Sequence, residues 1–104
     1  METIELQFPS EPASEAQRAA LCGVVGSGNL EILIRPGTPR ERCVLRIKTS
    51  ARGFAKTWEA VVSDFTRRHA AGGTQIDIND MGATPAVVTL RLGQALRQFI
   101  GDSR

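Results

Sequence analysis

Apolar residues recur at every second position in three separate runs, Ile4-Leu6-Phe8, Leu30-Ile32-Ile34 and Cys43-Leu45-Ile47. Such spacing restricts the first half of the chain to strands, because a period of two puts alternate side chains on opposite faces. Pro9 ends the first run, and Ser10 to Gln17 form a connection rich in Pro, Ser, Glu and Ala with no period of its own. The small and apolar residues from Ala19 through Val25 then read as a second strand. Gly26-Ser27-Gly28-Asn29 interrupts the pattern before Leu30 restarts it. Glycine and asparagine tolerate the positive φ that tight hairpins require, so this break predicts a β-hairpin with Ser27 at an exposed tip. Pro36-Gly37-Thr38-Pro39 is a further turn, leading into the strand of Cys43, Leu45 and Ile47.

Beyond Thr49 the period changes. Phe54, Trp58, Val61, Val62 and Phe65 form an apolar stripe along a helix, which Gly72-Gly73 closes off. Ile76 and Ile78 make a short strand ending near Asp80 and Gly82. A last helix starts at Thr84-Pro85, a capping hydroxyl followed by a residue with helical φ and no N–H to leave unpaired. Val88, Leu92, Ala95, Leu96 and Phe99 are its buried stripe and Gly101 its stop. The order ββββαβα predicts an α+β two-layer sandwich, a mostly antiparallel sheet with two helices on one face. At 104 residues, 41% apolar and 23% charged, one domain over 1–104 is expected. No run approaches the roughly 18 to 20 apolar residues of a membrane span, and the start is acidic rather than basic, so a cytoplasmic protein without membrane partners is expected.

The chemistry on offer is limited. Cys22 and Cys43 are far apart and His69 is the one histidine, so neither a CxxC pair nor a Cys/His metal set can be assembled and no metal site is expected. The cysteines fall in strands as small buried hydrophobes, Trp58 belongs to the core stripe, and His69 follows Arg67-Arg68 as a solvated group near a helix C-terminus. Gly26-Ser27-Gly28 fails as a nucleophile elbow, since glycines are needed two residues before and after the serine and Val25 and Asn29 stand there. It also fails as a dinucleotide fingerprint, because Glu31 replaces the third glycine and a strand follows instead of a helix. Two readings remain on spacing: a turn that happens to contain serine, or an exposed hydroxyl open to modification.

Charge is unevenly distributed beneath a net +2. Residues 1–34 carry one basic and five acidic side chains, 35–56 carry seven and one, and 57–104 carry five of each. Arg42, Arg46 and Lys48 share a strand face beside the hairpin, with Glu31 and Arg35 as candidate cross-strand partners. This is a solvated sheet face or a docking surface for phosphates or an acidic partner. Nucleic acid has little support, since almost no aromatic residues are interleaved with the basic ones.

Two segments, GVVGSGNLE at 23–31 and INDMGATPAVVTLRL at 78–92, together resemble the acyl carrier (delta) subunit of biotin-independent malonate decarboxylase. The similarity extends over nearly the whole chain, including the opening strand and Thr49-Ser50 followed by Trp58. The resemblance implies that Ser27 carries 2′-(5″-phosphoribosyl)-3′-dephospho-coenzyme A through a phosphodiester. It implies a non-catalytic carrier and a phosphoprotein of malonate catabolism. The thiol of its phosphopantetheine-type arm holds acetyl or malonyl while acyl-transferase and decarboxylase subunits act on it. A holo-carrier synthase and a malonyl transacylase are the other implied partners, and nucleic acid is not among them. Asn29 stands where aspartate commonly follows Gly-Ser-Gly in that family, and Ala86 where glycine follows Thr-Pro.

Conventional acyl carriers differ, being acidic helical bundles with Asp-Ser-Leu at the attachment point. The citrate lyase carrier is the nearer rival, and its Ser-Ser-Asp context near the N-terminus differs from Gly-Ser-Gly. From other classes, a basic module binding nucleic acid or protein would use Arg42, Arg46 and Lys48, and a small serine hydrolase would depend on His69.

Overall fold

The structure, a computed structural model, describes residues 1–13, 23–26 and 29–101, with backbone only at 23–26. The elements are β1 (Glu2–Pro9), β2 (Gly23–Gly26), β3 (Leu30–Pro36), β4 (Arg42–Thr49), α1 (Ala55–Arg68), β5 (Thr74–Asp80) and α2 (Pro85–Phe99). The order ββββαβα and the α+β two-layer class agree with the periodicity. The five strands form one sheet in the order β1-β4-β5-β3-β2. Three ladders are antiparallel, and β4 with β5 is parallel, which requires the crossover that α1 supplies. Insertion of β5 separates β3 from β4, although the two follow one another in sequence.

Alternation explains the core. Ile32, Ile34, Leu45, Ile47, Ile76 and Ile78 point to one face of the sheet and are buried there. Trp58, Val62 and Phe65 of α1, with Val88, Leu92, Ala95, Leu96 and Phe99 of α2, complete the same apolar cluster. Each Val, Leu, Ile or Phe among them contributes about 1.5–3 kcal/mol through burial. The α2 stripe is as the spacing predicts. Its cap is too: the Thr84 hydroxyl accepts from the Val87 N–H at 3.3 Å with Pro85 next in the chain, and Gly101 beyond the helix takes φ +81°. The α1 stripe needs correction at its first residue. Phe54 precedes the helix as its N-cap and is 50% exposed, so it stands outside the buried stripe that begins at Trp58.

The two ends of the strands differ. Where β1 ends and β4 and β5 begin, Ser10 to Ala13 pack tightly on Ala71 to Gly73. Glu11 and Gly72, and Gly72 and Ala13, are joined by backbone hydrogen bonds of 2.7 and 2.8 Å. The Ser10 hydroxyl donates to the carbonyls of Thr66 and His69 and accepts from the Ala71 N–H. A Cβ at Gly72 would run into the carbonyl oxygens of Arg40 and Ser10, so only glycine fits. The other end carries the β2–β3 hairpin and the β5–α2 loop.

Candidate functional site

The β2–β3 ladder runs from Gly23↔Ile34 to Gly26↔Glu31, as the predicted hairpin requires. Ser27 and Gly28 lie outside the described residues, as does Cys22. The residues flanking the turn define its surroundings. Asn29 is exposed, and its carbonyl accepts from the Met81 N–H at 2.7 Å. Leu30 is registered against Asp80, and Glu31 accepts from the Asn79 side-chain amide at 3.2 Å. The segments 23–31 and 78–92, some 50 residues apart in the chain, therefore meet at one end of the sheet.

Asp80 holds that end together. It is 3% exposed, and its Oδ2 accepts from the Thr49 hydroxyl at 2.9 Å. Its Oδ1 accepts from the Ala83 and Gly82 N–H groups at 2.8 and 3.2 Å, and its carbonyl accepts from the Ser50 N–H at 3.0 Å. Thr49 Oγ1 in turn accepts from the Ala51 N–H at 3.1 Å. A buried carboxylate is tolerated only when its lone pairs are filled in this way. One side chain thus ties the ends of β4 and β5 to the entrance of α2, while Gly82 takes the φ of +108° that the loop needs. Sequence reading placed Asp80 at a strand end and missed this role. The available signal was an Asp followed by Met-Gly, the composition of a turn in which a carboxylate bonds amides two and three residues on.

Beside this loop, between the N-terminal turns of α1 and α2, is a cleft of about 440 Å³. Ala51, Phe54, Trp58, Val61, Ala83 and Val88 give it a largely apolar wall, with Thr57 and Asp80 as polar members. Phe54 is exposed at 50%, and Met81 in the adjoining loop at 58%. Trp58 packs in the core as expected and also faces this cleft, a second role that a helical stripe does not announce.

The remaining candidates are placed elsewhere. Cys43 is fully buried; desolvation pushes its thiol up to about 11, against which the Thr74 hydroxyl bonded to sulfur at 3.4 Å has the smaller, opposite effect. It stays protonated at neutral pH and is no nucleophile. His69 is exposed at the C-cap of α1, its ring centroid 5.0 Å from that of Phe65. That puts it at the Ser10 end of the sheet, opposite Gly26 and Asn29, so the hydrolase reading lacks its base. Arg42, Arg46 and Lys48 are exposed on β4 as predicted, but Glu31 and Arg35 are not their cross-strand neighbours, because β5 intervenes. Arg46 instead bonds Glu5 at 2.9 Å, and Arg35 pairs with Asp77 at 3.1 Å. Arg46 thus sits between Glu5 and Asp77 in register, which divides the basic patch and weakens the case for a nucleic-acid surface. Among the described residues no group of three or more His, Cys, Asp or Glu side chains could hold a metal ion. No described helix is long and apolar enough to cross a membrane.

Comparison with known proteins agrees with the meeting of the two segments. The family model of the malonate decarboxylase delta subunit matches residues 17–99. The malonate decarboxylase acyl carrier protein of Acinetobacter calcoaceticus is 44% identical over 102 residues, spanning 98% of this chain and 100% of its own. That of Burkholderia cepacia is 53% identical over 95 residues, 91% of this chain and 87% of its own. Among solved structures, a chain of a Pseudomonas malonate decarboxylase hetero-tetramer in complex with malonate superposes with a TM-score of 0.79. It is 36% identical, and the match covers 97% of this chain and 100% of that one. With most of its length matched and its two distinctive segments brought together at one end of the sheet, the chain belongs to the malonate decarboxylase delta subunit family.

Proposed function

We propose that this chain is the acyl carrier of a malonate decarboxylase complex and that Ser27 is the hydroxyl bearing 2′-(5″-phosphoribosyl)-3′-dephospho-coenzyme A. The observation that carries the reading is the bond between Asn29 and Met81, which joins the hairpin of the Gly-Ser-Gly segment to the second family segment. That end of the sheet suits a phosphate-bearing arm. The first turn of α2 holds no acidic residue, Lys48 and Arg52 are exposed on adjoining segments, and both carboxylate oxygens of Asp80 are engaged by Thr49, Gly82 and Ala83. When bound, the group supplies the thiol on which acetyl and malonyl are carried. The chain's own part is to hold the anchor on a rigid ladder and leave the chemistry to partner subunits. A long arm on a fixed anchor raises the effective concentration of its end at each active site. A non-catalytic role is supported by the described residues, in which Cys43 is buried and His69 lies at the far end of the sheet.

Intact-mass measurement tests this directly. Coexpression of the chain with its attaching enzyme gives one added prosthetic group, and Ser27→Ala gives none. An unmodified wild-type chain under conditions where a related carrier is loaded overturns the reading.

A further inference from the structure

We infer that the apolar cleft between α1 and the β5–α2 loop is a resting site for the thiol-bearing, pantetheine end of the arm between visits to partner active sites. The inference rests on the Ser27 reading and goes beyond it, because attachment requires only an exposed hydroxyl.

Position argues for it first. Asp80, Gly82, Ala83 and Pro85 form one wall of the cleft, and their loop is fastened to the hairpin through Met81 and Asn29 at 2.7 Å. Ser27 is two residues from Asn29 in the chain. A flexible arm anchored there meets the cleft intramolecularly, so even weak contacts populate the docked state. Chemistry argues for it next. The wall of Phe54, Trp58, Val61, Ala83 and Val88 matches a methylene and dimethyl chain, and Thr57 at the exposed lip offers a hydroxyl to its amides. Asp80 turns both carboxylate oxygens to Thr49, Gly82 and Ala83, so its lone pairs are already engaged within the loop.

Size then separates the arm from a partner subunit. A volume of about 440 Å³ is that of a small-molecule site. A stable protein interface buries upward of roughly 1,000 Å² around several anchors. Here the large exposed apolar side chains among the described residues are Met1, Phe54, Met81 and Leu90, of which Phe54 lines the cleft and Met81 belongs to its adjoining loop.

The chain has one tryptophan and no tyrosine, so the Trp58 indole N–H gives one resolved NMR signal at the cleft. Apo and modified full-length protein, each verified by intact mass, are compared. The expected result is a shift of more than a line width in the Trp58 indole and the Gly82 and Ala83 amide signals on modification. Thr57→Phe, which fills the lip from an exposed helix position, keeps the added mass and the melting temperature but abolishes those shifts. Ala83→Leu does the same from the opposite wall should the first variant melt early. A modified chain of correct mass whose Trp58 signal coincides with that of the apo protein overturns the inference. So does a shift that arises only when decarboxylase subunits are added, which assigns the cleft to a partner. A chain that gains no mass refutes the Ser27 reading instead, and the two failures are thereby distinguished.

Discussion

The two ends of this sheet solve opposite problems with similar residues. At the Ser10 end the chain crosses itself so closely that Gly72 has no room for a Cβ, and one serine hydroxyl serves three backbone groups. At the hairpin end Gly53 and Gly82 both take positive φ, yet a Cβ on either would meet nothing within 4 Å, and a cleft opens beside them. Positive φ serves both ends, at Gly73 in the first and at Gly53 and Gly82 in the second, but close approach that excludes a Cβ is found at Gly72. The difference teaches that the backbone packs most closely away from the end where segments 23–31 and 78–92 meet, which is left with space and exposed apolar side chains.

Substitutions can break that contrast. The largest effect is expected from Gly72→Ala, where the new methyl must displace backbone of both Arg40 and Ser10, at about 3 kcal/mol of unfolding free energy. Chemical denaturation measures it, and a loss near zero would mean that the closed end yields easily. Asp80→Ala comes next, at about 2 kcal/mol, because the Thr49 hydroxyl and the Gly82 and Ala83 amides lose their acceptor. Its hydrogen-exchange signature sharpens the comparison: amides of 80–84 lose protection while those near Ala71 keep theirs. The smallest effect belongs to Phe54→Ala, within about 0.5 kcal/mol, because the ring is half exposed at the rim of the cleft. A cost of about 3–5 kcal/mol there would restore Phe54 to the core stripe.

Legibility followed the same division. The α2 stripe from Val88 to Phe99, its Thr84-Pro85 start and the β2–β3 hairpin could all be read from spacing, because period and capping are properties of adjacent residues. Phe54 fits the α1 period but stands outside the core, since periodicity marks a face without marking where the neighbouring layer ends. The pairing of Arg46 with Glu5 depends on which strand lies beside β4. Alternation states which face a residue occupies and nothing about lateral neighbours.

The candidate site divides in the same way. Gly-Ser-Gly and the segment 78–92 were recognisable as residues, and the attachment role of Ser27 was a matter of chemistry and likeness throughout. That the two segments meet is a tertiary fact: β5 lies beside β3 and brings Met81 to Asn29. So is the burial of Asp80, which became a structural anchor only because Thr49 and the α2 entrance arrive around it from distant parts of the chain.

By itself, then, the order of residues determined the elements, their faces and the class of fold, because hydrophobic burial acts on periods of two and 3.6. Only the tertiary structure decided that β5 lies between β4 and β3, that one end is closed and the other open, and that a cleft adjoins the hairpin. Those outcomes depend on contacts between residues far apart in sequence, whose energies no local pattern contains.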